Sequence, residues 1–212
     1  MAQIVCFGDS ITLGLVDPEG GWTQRLRRRL DAEETFTVGG VSFPSHAVLN
    51  LGISGDTAED VLDRLERELL PRMIGERTVV VIAVGINETA EDLPSGKPRF
   101  SLDDFAANLA GAVETAKGHA DHVLLAELLP CDEARVRPAP WDPAESYTND
   151  RIRAFNEALR RVARDHDVPV AGLFDEFLAA GHQALLHDGV HPNGDGHQRI
   201  AEVIGDRVKA WL

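Results

Sequence analysis

A chain of 212 residues, 43% hydrophobic and 26% charged, has the size and mix of one soluble globular domain built on one core. Its 35 acidic against 21 basic residues leave a net charge of −14, the wrong sign for a nucleic-acid partner. No run approaches the roughly 20 apolar residues that cross a bilayer, which speaks against stable membrane anchoring. Two cysteines, Cys6 and Cys131, lack C-x-x-C spacing and are too few for a disulfide framework. The N-terminus opens on a strand-like segment instead of a basic and then apolar leader, so a reduced cytoplasmic protein is expected.

In chain order, the apolar run Gln3 to Phe7 with β-branched Ile4 and Val5 predicts a buried strand, broken at Gly8. Trp22 to Ala32 carries Trp22, Leu26 and Leu30 at helical spacing, with Arg25, Arg27, Arg28 and Arg29 as a solvated face. A Gly39-Gly40 turn leads to a second strand that ends in Ala47 to Gly52, and Asp56 or Thr57 caps a helix bearing Val61, Leu62, Leu65, Leu69 and Leu70. Thr78 to Val84 is an unbroken β-branched run, expected of a central parallel strand buried on both faces. After a Pro/Gly loop from Leu93 to Arg99, Ser101 and Asp104 open a helix through about Lys117, and His122 to Leu128 is the next strand. Pro130 to Asp150 is a long aperiodic loop containing Trp141 and Tyr147. Asn149 to Asp165 predicts a helix, Val168 to Phe174 the last strand, Glu176 to Ala180 a short helix, and Asp195 to Trp211 the final one. Strands alternating with helices from end to end imply a parallel sheet covered on both faces in a single domain, 1–212.

In such a sheet the carboxyl ends of all strands share one edge, where ligands bind. That edge collects Ser10, Gly52, Asn87 and the segment Asp188 to His191. A serine hydroxyl becomes a nucleophile when an imidazole takes its proton and a carboxylate fixes the imidazole's tautomer. Asp188 and His191 are spaced to meet within one turn stiffened by Pro192, with the other ring nitrogen free for Ser10. The backbone N–H groups of Ser10 and Gly52 and the amide of Asn87 are the candidate donors to a developing oxyanion. Each residue also has a plain structural role open to it: Gly52 ends a strand, Asn87 makes an Asx-turn, Asp188 caps a turn.

These residues carry a resemblance to the SGNH hydrolase superfamily, also called the GDSL lipase/esterase family. It rests on Gly8-Asp9-Ser10, on Gly52 within Asn50 to Gly55, on Asn87 after Gly85-Ile86, and on Asp188-Gly189-Val190-His191-Pro192, and it spans nearly the whole chain. The resemblance implies a three-layer, flavodoxin-like α/β/α sandwich with a five-stranded parallel sheet. It further implies a Ser10–His191–Asp188 triad and an oxyanion hole from Ser10, Gly52 and Asn87. Glu88 departs from the family's usual Asp after the block-three Asn.

The expected reaction is hydrolysis of a small-molecule carboxylic ester through a covalent acyl-enzyme, without metal or organic cofactor. Short to medium acyl groups come first. A thioesterase, a lysophospholipase and a carbohydrate O-deacetylase are the alternatives within the family, and a homo-oligomer stays open. Two rivals arise from the residues alone. His187, Asp188, His191, Asp195 and His197 include types that bind zinc, which would make a metal hydrolase. The loop after the first strand could instead cradle a phosphate in a flavodoxin-like binding module. The first leaves Ser10, Gly52 and Asn87 without a task; the second leaves His191 without one.

Overall fold

The computed structural model describes residues 2–212. In chain order the elements are β1 (Ala2–Gly8), α1 (Ser10–Leu13), α2 (Gly21–Glu33), β2 (Thr35–Val38), β3 (Val41–Pro44), β4 (His46–Gly52), α3 (Ala58–Leu69) and β5 (Arg77–Ala83). There follow β6 (Glu91–Asp92), β7 (Lys97–Pro98), α4 (Leu102–Lys117), β8 (His122–Ala126), β9 (Glu145–Ser146), α5 (Asn149–Asp165), β10 (Val170–Ala171), α6 (Phe174–Ala179) and α7 (Gly194–Lys209).

Five of these strands form an all-parallel sheet in the order β10-β8-β5-β1-β4. Numbered by first appearance that is 2-1-3-4-5 read from the other edge, the flavodoxin order, in which the winding reverses between β1 and β5. The pleat sends alternate side chains of β1 to opposite faces. Val5 and Phe7 pack with Val61, Leu65 and Phe105 beneath α3, α4 and α5. Ile4 and Cys6 pack with Trp22, Leu26, Ile200 and Ile204 beneath α2 and α7. Truncating a side chain such as Phe7, fully buried at the sheet centre, costs on the order of 3–5 kcal/mol.

Three segments differ from the sequence expectation. The strands expected over 122–128 and 168–174 stop at Ala126 and Ala171, because side chains capture the backbone groups beyond. Buried Asn156 takes both the N–H (2.8 Å) and the carbonyl (3.0 Å) of Leu128. Glu127 Oε2 accepts from the N–H groups of Leu173 and Phe174, both at 3.1 Å. Gly39-Gly40 is the tip of a hairpin, β2 against β3, whose strands are exposed and therefore leave no core-facing pattern to read.

The long 130–150 loop is also anchored. Its β9 pairs with β6, Leu93 N–H donates to the Ala144 carbonyl (2.8 Å), and Val136, Ala139 and Tyr147 are buried in the main core.

Candidate active site

Ser10 enters the site from the β1 end of the winding reversal. Asp9, with extended backbone, caps the one-turn helix α1 by accepting the Ile11 N–H at 2.9 Å, which turns the chain sharply and presents the next side chain at the sheet edge. Ser10 Oγ lies 2.9 Å from His191 Nε2. Burial pushes the Asp9 carboxyl up to about 7, against the lowering influence of its Ile11 hydrogen bond and of His191.

His191 and Asp188 come from the loop before α7. Asp188 Oδ2 lies 2.6 Å from His191 Nδ1, while Oδ1 accepts the N–H groups of Val190 (3.0 Å) and His191 (2.8 Å). One carboxylate therefore folds the turn and orients the ring. Burial opposes its charge, but the hydrogen bonds from His191 and the two backbone N–H groups prevail and hold the carboxyl down to about 2. Gly189, at φ +105, is pressed so closely on Val136 and Arg135 that a Cβ would stand 2.7 Å from Val136 Cγ1. Its carbonyl accepts from Asp132 N–H at 2.9 Å, and Arg135 donates to the carbonyls of Leu186 and His187. The 130–150 loop thus clamps the Asp188–His191 turn.

On the opposite side stands Asn87, after β5. Its Nδ2 donates to the Asp56 carbonyl at 2.8 Å, which uses one amide hydrogen and leaves the second for the cavity. Gly52 is a correction to the expected donor set. Its N–H donates to Asn50 Oδ1 at 2.9 Å, and a Cβ there would lie 2.2 Å from Leu13 N. Gly52 is a close-packing glycine beneath α1, and its N–H is already satisfied. The glycine lining the cavity is Gly55, at φ +90, whose N–H has no partner among the described residues. The signal in the sequence is a glycine between a strand end and the helix cap Thr57, whereas Gly52 is the last residue of β4 itself.

Ser10, Gly55, Asn87, Asp188 and His191 open on one cavity of about 450 Å³, walled by Leu15, Ile86, Trp141, Tyr147 and Val190. The Trp141 ring meets His191 edge-on, with centroids 5.5 Å apart. Glu145 holds both aromatic groups, accepting from Trp141 Nε1 (3.0 Å) and from the Tyr147 hydroxyl (2.8 Å). The five residues read as possible metal ligands do not converge: His187 and Asp195 are exposed, and the His197 ring is fully buried close to Gly21.

Glu88 turns away from the cavity toward α3. Its Oε1 accepts the Ala58 N–H at 2.5 Å, while Oε2 is buried without a hydrogen-bond partner among the described residues. Burial pushes the carboxyl up from 4.5 to about 7, opposed by the Ala58 hydrogen bond. Between those pH values the folded chain keeps a proton that the unfolded chain has released, so this group makes stability fall as pH rises through the window. Glu88→Gln keeps the acceptor for Ala58 and removes the charge. It is expected to stabilise the protein by about 1–3 kcal/mol at pH 8 and to converge on wild type at pH 4, below the window, a difference that melting curves at the two pH values will measure.

The sequence model of the GDSL-like lipase/acylhydrolase family matches residues 6–199. A lipase/acylhydrolase from Enterococcus faecalis shares the fold with a TM-score of 0.79 at 27% identity, covering 100% of this chain and 97% of its own. The uncharacterized lipoprotein YqeF of Bacillus subtilis is 26% identical over 91% of this chain and 82% of its own. The isoamyl acetate-hydrolyzing esterase of Saccharomyces cerevisiae is 24% identical over 95% of this chain and 85% of its own.

Proposed function

Since this chain belongs to the GDSL-like lipase/acylhydrolase family and is a carboxylic ester hydrolase, we propose that Ser10, His191 and Asp188 are its catalytic triad, acting on esters of short to medium acyl chains. The observation that carries the assignment is the unbroken relay from Ser10 Oγ to His191 Nε2 (2.9 Å) and from His191 Nδ1 to Asp188 Oδ2 (2.6 Å), opening on a cavity. His191 Nε2 takes the hydroxyl proton as Ser10 Oγ bonds to the ester carbonyl carbon. The oxyanion is held by the N–H groups of Ser10 and Gly55 and by the Asn87 amide. Collapse breaks the bond to the leaving alcohol, which receives the proton from His191. Water, activated by the same imidazole, then releases the acid and restores Ser10.

The cavity, about 450 Å³, falls in the range of small-molecule sites. Its apolar wall suits an acyl or aryl group, and the yeast relative is named for an acetate ester. Among the described residues no helix is long and apolar enough to cross a membrane. A cytoplasmic location is part of the proposal, supported by two buried thiols, Cys6 and Cys131, that form no disulfide. The test is a panel of p-nitrophenyl esters of increasing acyl length beside an acyl-CoA thioester and an acetylated sugar. The highest kcat/KM is expected on acetate to hexanoate, and a preference for the thioester or the sugar would reassign the substrate class.

Asn87→Ala should fold and bind substrate with KM near wild type. Its kcat should fall on the order of 10²–10³, because the donor is felt mainly in the transition state. A lowered Tm with unchanged kcat would leave Asn87 as a loop anchor alone.

A further inference from the structure

One buried cation lies behind all three donors. Arg64, on α3, is 6% exposed. Its Nε donates to Asp56 Oδ2 (2.7 Å), Nη2 to the carbonyls of Leu51 (2.7 Å) and Gly8 (3.2 Å), and Nη1 to Glu68 Oε2 (3.3 Å). The guanidinium carbon sits 5.4 Å from the centroid of the Phe7 ring, at the centre of the sheet.

Three of the four acceptors, Gly8, Leu51 and Asp56, lead into the oxyanion site. Gly8 ends β1 and is followed by Asp9 and Ser10. Leu51, near the end of β4, begins the run to Gly55. Asp56 follows Gly55, and its own carbonyl takes the Asn87 amide at 2.8 Å. The Gly8 carbonyl also accepts from Ile53 N–H at 3.0 Å, so the two strand ends are joined to each other as well as to the guanidinium. We propose that Arg64 is the positioning residue of the oxyanion hole, a single fork that fixes the Ser10, Gly55 and Asn87 donors relative to one another. This inference rests on the esterase reading above.

The chemistry requires arginine. A planar guanidinium offers five N–H groups in fixed directions and can span two strand ends and a loop carboxylate at once, while a lysine ammonium is a point donor on a flexible stem. Asp56 and Glu68 compensate the charge, which lets it remain buried. Nothing in this set touches substrate, so its influence runs through geometry. Displacements of about 1 Å in such donors cost on the order of 10²-fold in rate.

The experiment compares Arg64→Lys and Arg64→Gln with Leu69→Ala, which removes fully buried packing from the far end of the same helix. Tm, kcat and KM on p-nitrophenyl acetate are measured for each. The Arg64 variants are expected to lose about 10–100-fold in kcat with KM near wild type, whereas Leu69→Ala loses Tm and keeps kcat. An Arg64→Lys protein with wild-type kcat, or with a loss no larger than that of Leu69→Ala at matched Tm, overturns the proposal. Should neither Arg64 variant fold, Asp56→Asn decides, since it keeps the Asp56 carbonyl and breaks the ion pair: lowered kcat at unchanged KM supports the proposal, and unchanged kcat overturns it. Wild-type protein inert to both the ester and a fluorophosphonate would remove the esterase reading and this inference together, while a fully active variant removes this inference alone.

Discussion

Ser10→Ala is expected to remain folded and to lose turnover by a factor on the order of 10⁶, the scale on which nucleophile loss acts in serine hydrolases. The reason lies in the contacts of the hydroxyl. Ser10 Oγ makes its one hydrogen bond to His191 Nε2, and no backbone group depends on it. The turn is held instead by Asp9 and by the close approach of Gly52 to Leu13, so alanine leaves the scaffold standing. The check is intact-mass analysis after a fluorophosphonate, with one adduct mapped to Ser10 in wild type and none in the variant. An adduct on any other residue would move the nucleophile and dissolve the triad assignment.

Asp188→Asn is the second large effect, expected at about 10⁴ in kcat with the fold retained. Asparagine can keep an acceptor oxygen for the N–H groups of Val190 and His191, which build the turn. Toward Nδ1 it then offers an N–H, and the imidazole answers by carrying its proton on Nε2, where it can no longer accept from Ser10. Wild-type Asp188 is held down to about 2, so it stays ionised across the neutral range. Its depressed pKa contributes stability that is complete above the ordinary value of 3.8 and is lost as pH falls toward about 2. Loss of activity between neutral pH and about pH 5 is therefore not caused by protonation of Asp188. A near-normal kcat in Asp188→Asn would shift the acid role to another carboxylate, with Asp195 next in sequence.

The sheet was readable wherever a strand is buried on both faces, since a β-branched run such as Thr78 to Val84 has no other way to hide its side chains. The helices were readable from their apolar stripes and caps; Thr57, with Asp60 closing a capping box, opens α3 within the expected pair of positions. Strand ends were less so. The stops at Ala126 and Ala171 depend on Asn156 and Glu127, polar side chains that reach the strand ends from other parts of the chain.

The sequence by itself determined which chemistry the chain holds: a serine on a glycine turn, an Asp-x-x-His segment spaced for one carboxylate to serve both loop and ring, and an asparagine after the central strand. Those are local patterns, set by residue type and short spacing, and the structure brings them to one cavity. Only the tertiary structure decided which glycine faces that cavity, because the choice between Gly52 and Gly55 turns on an Asn50 side chain and on the packing of α1 against β4. It also decided that a buried arginine on α3 ties the ends of β1 and β4 to the Asp56 loop. A guanidinium that joins residues 8, 51 and 56 leaves no mark on any periodicity, since those positions become neighbours only when the parallel strands are laid side by side.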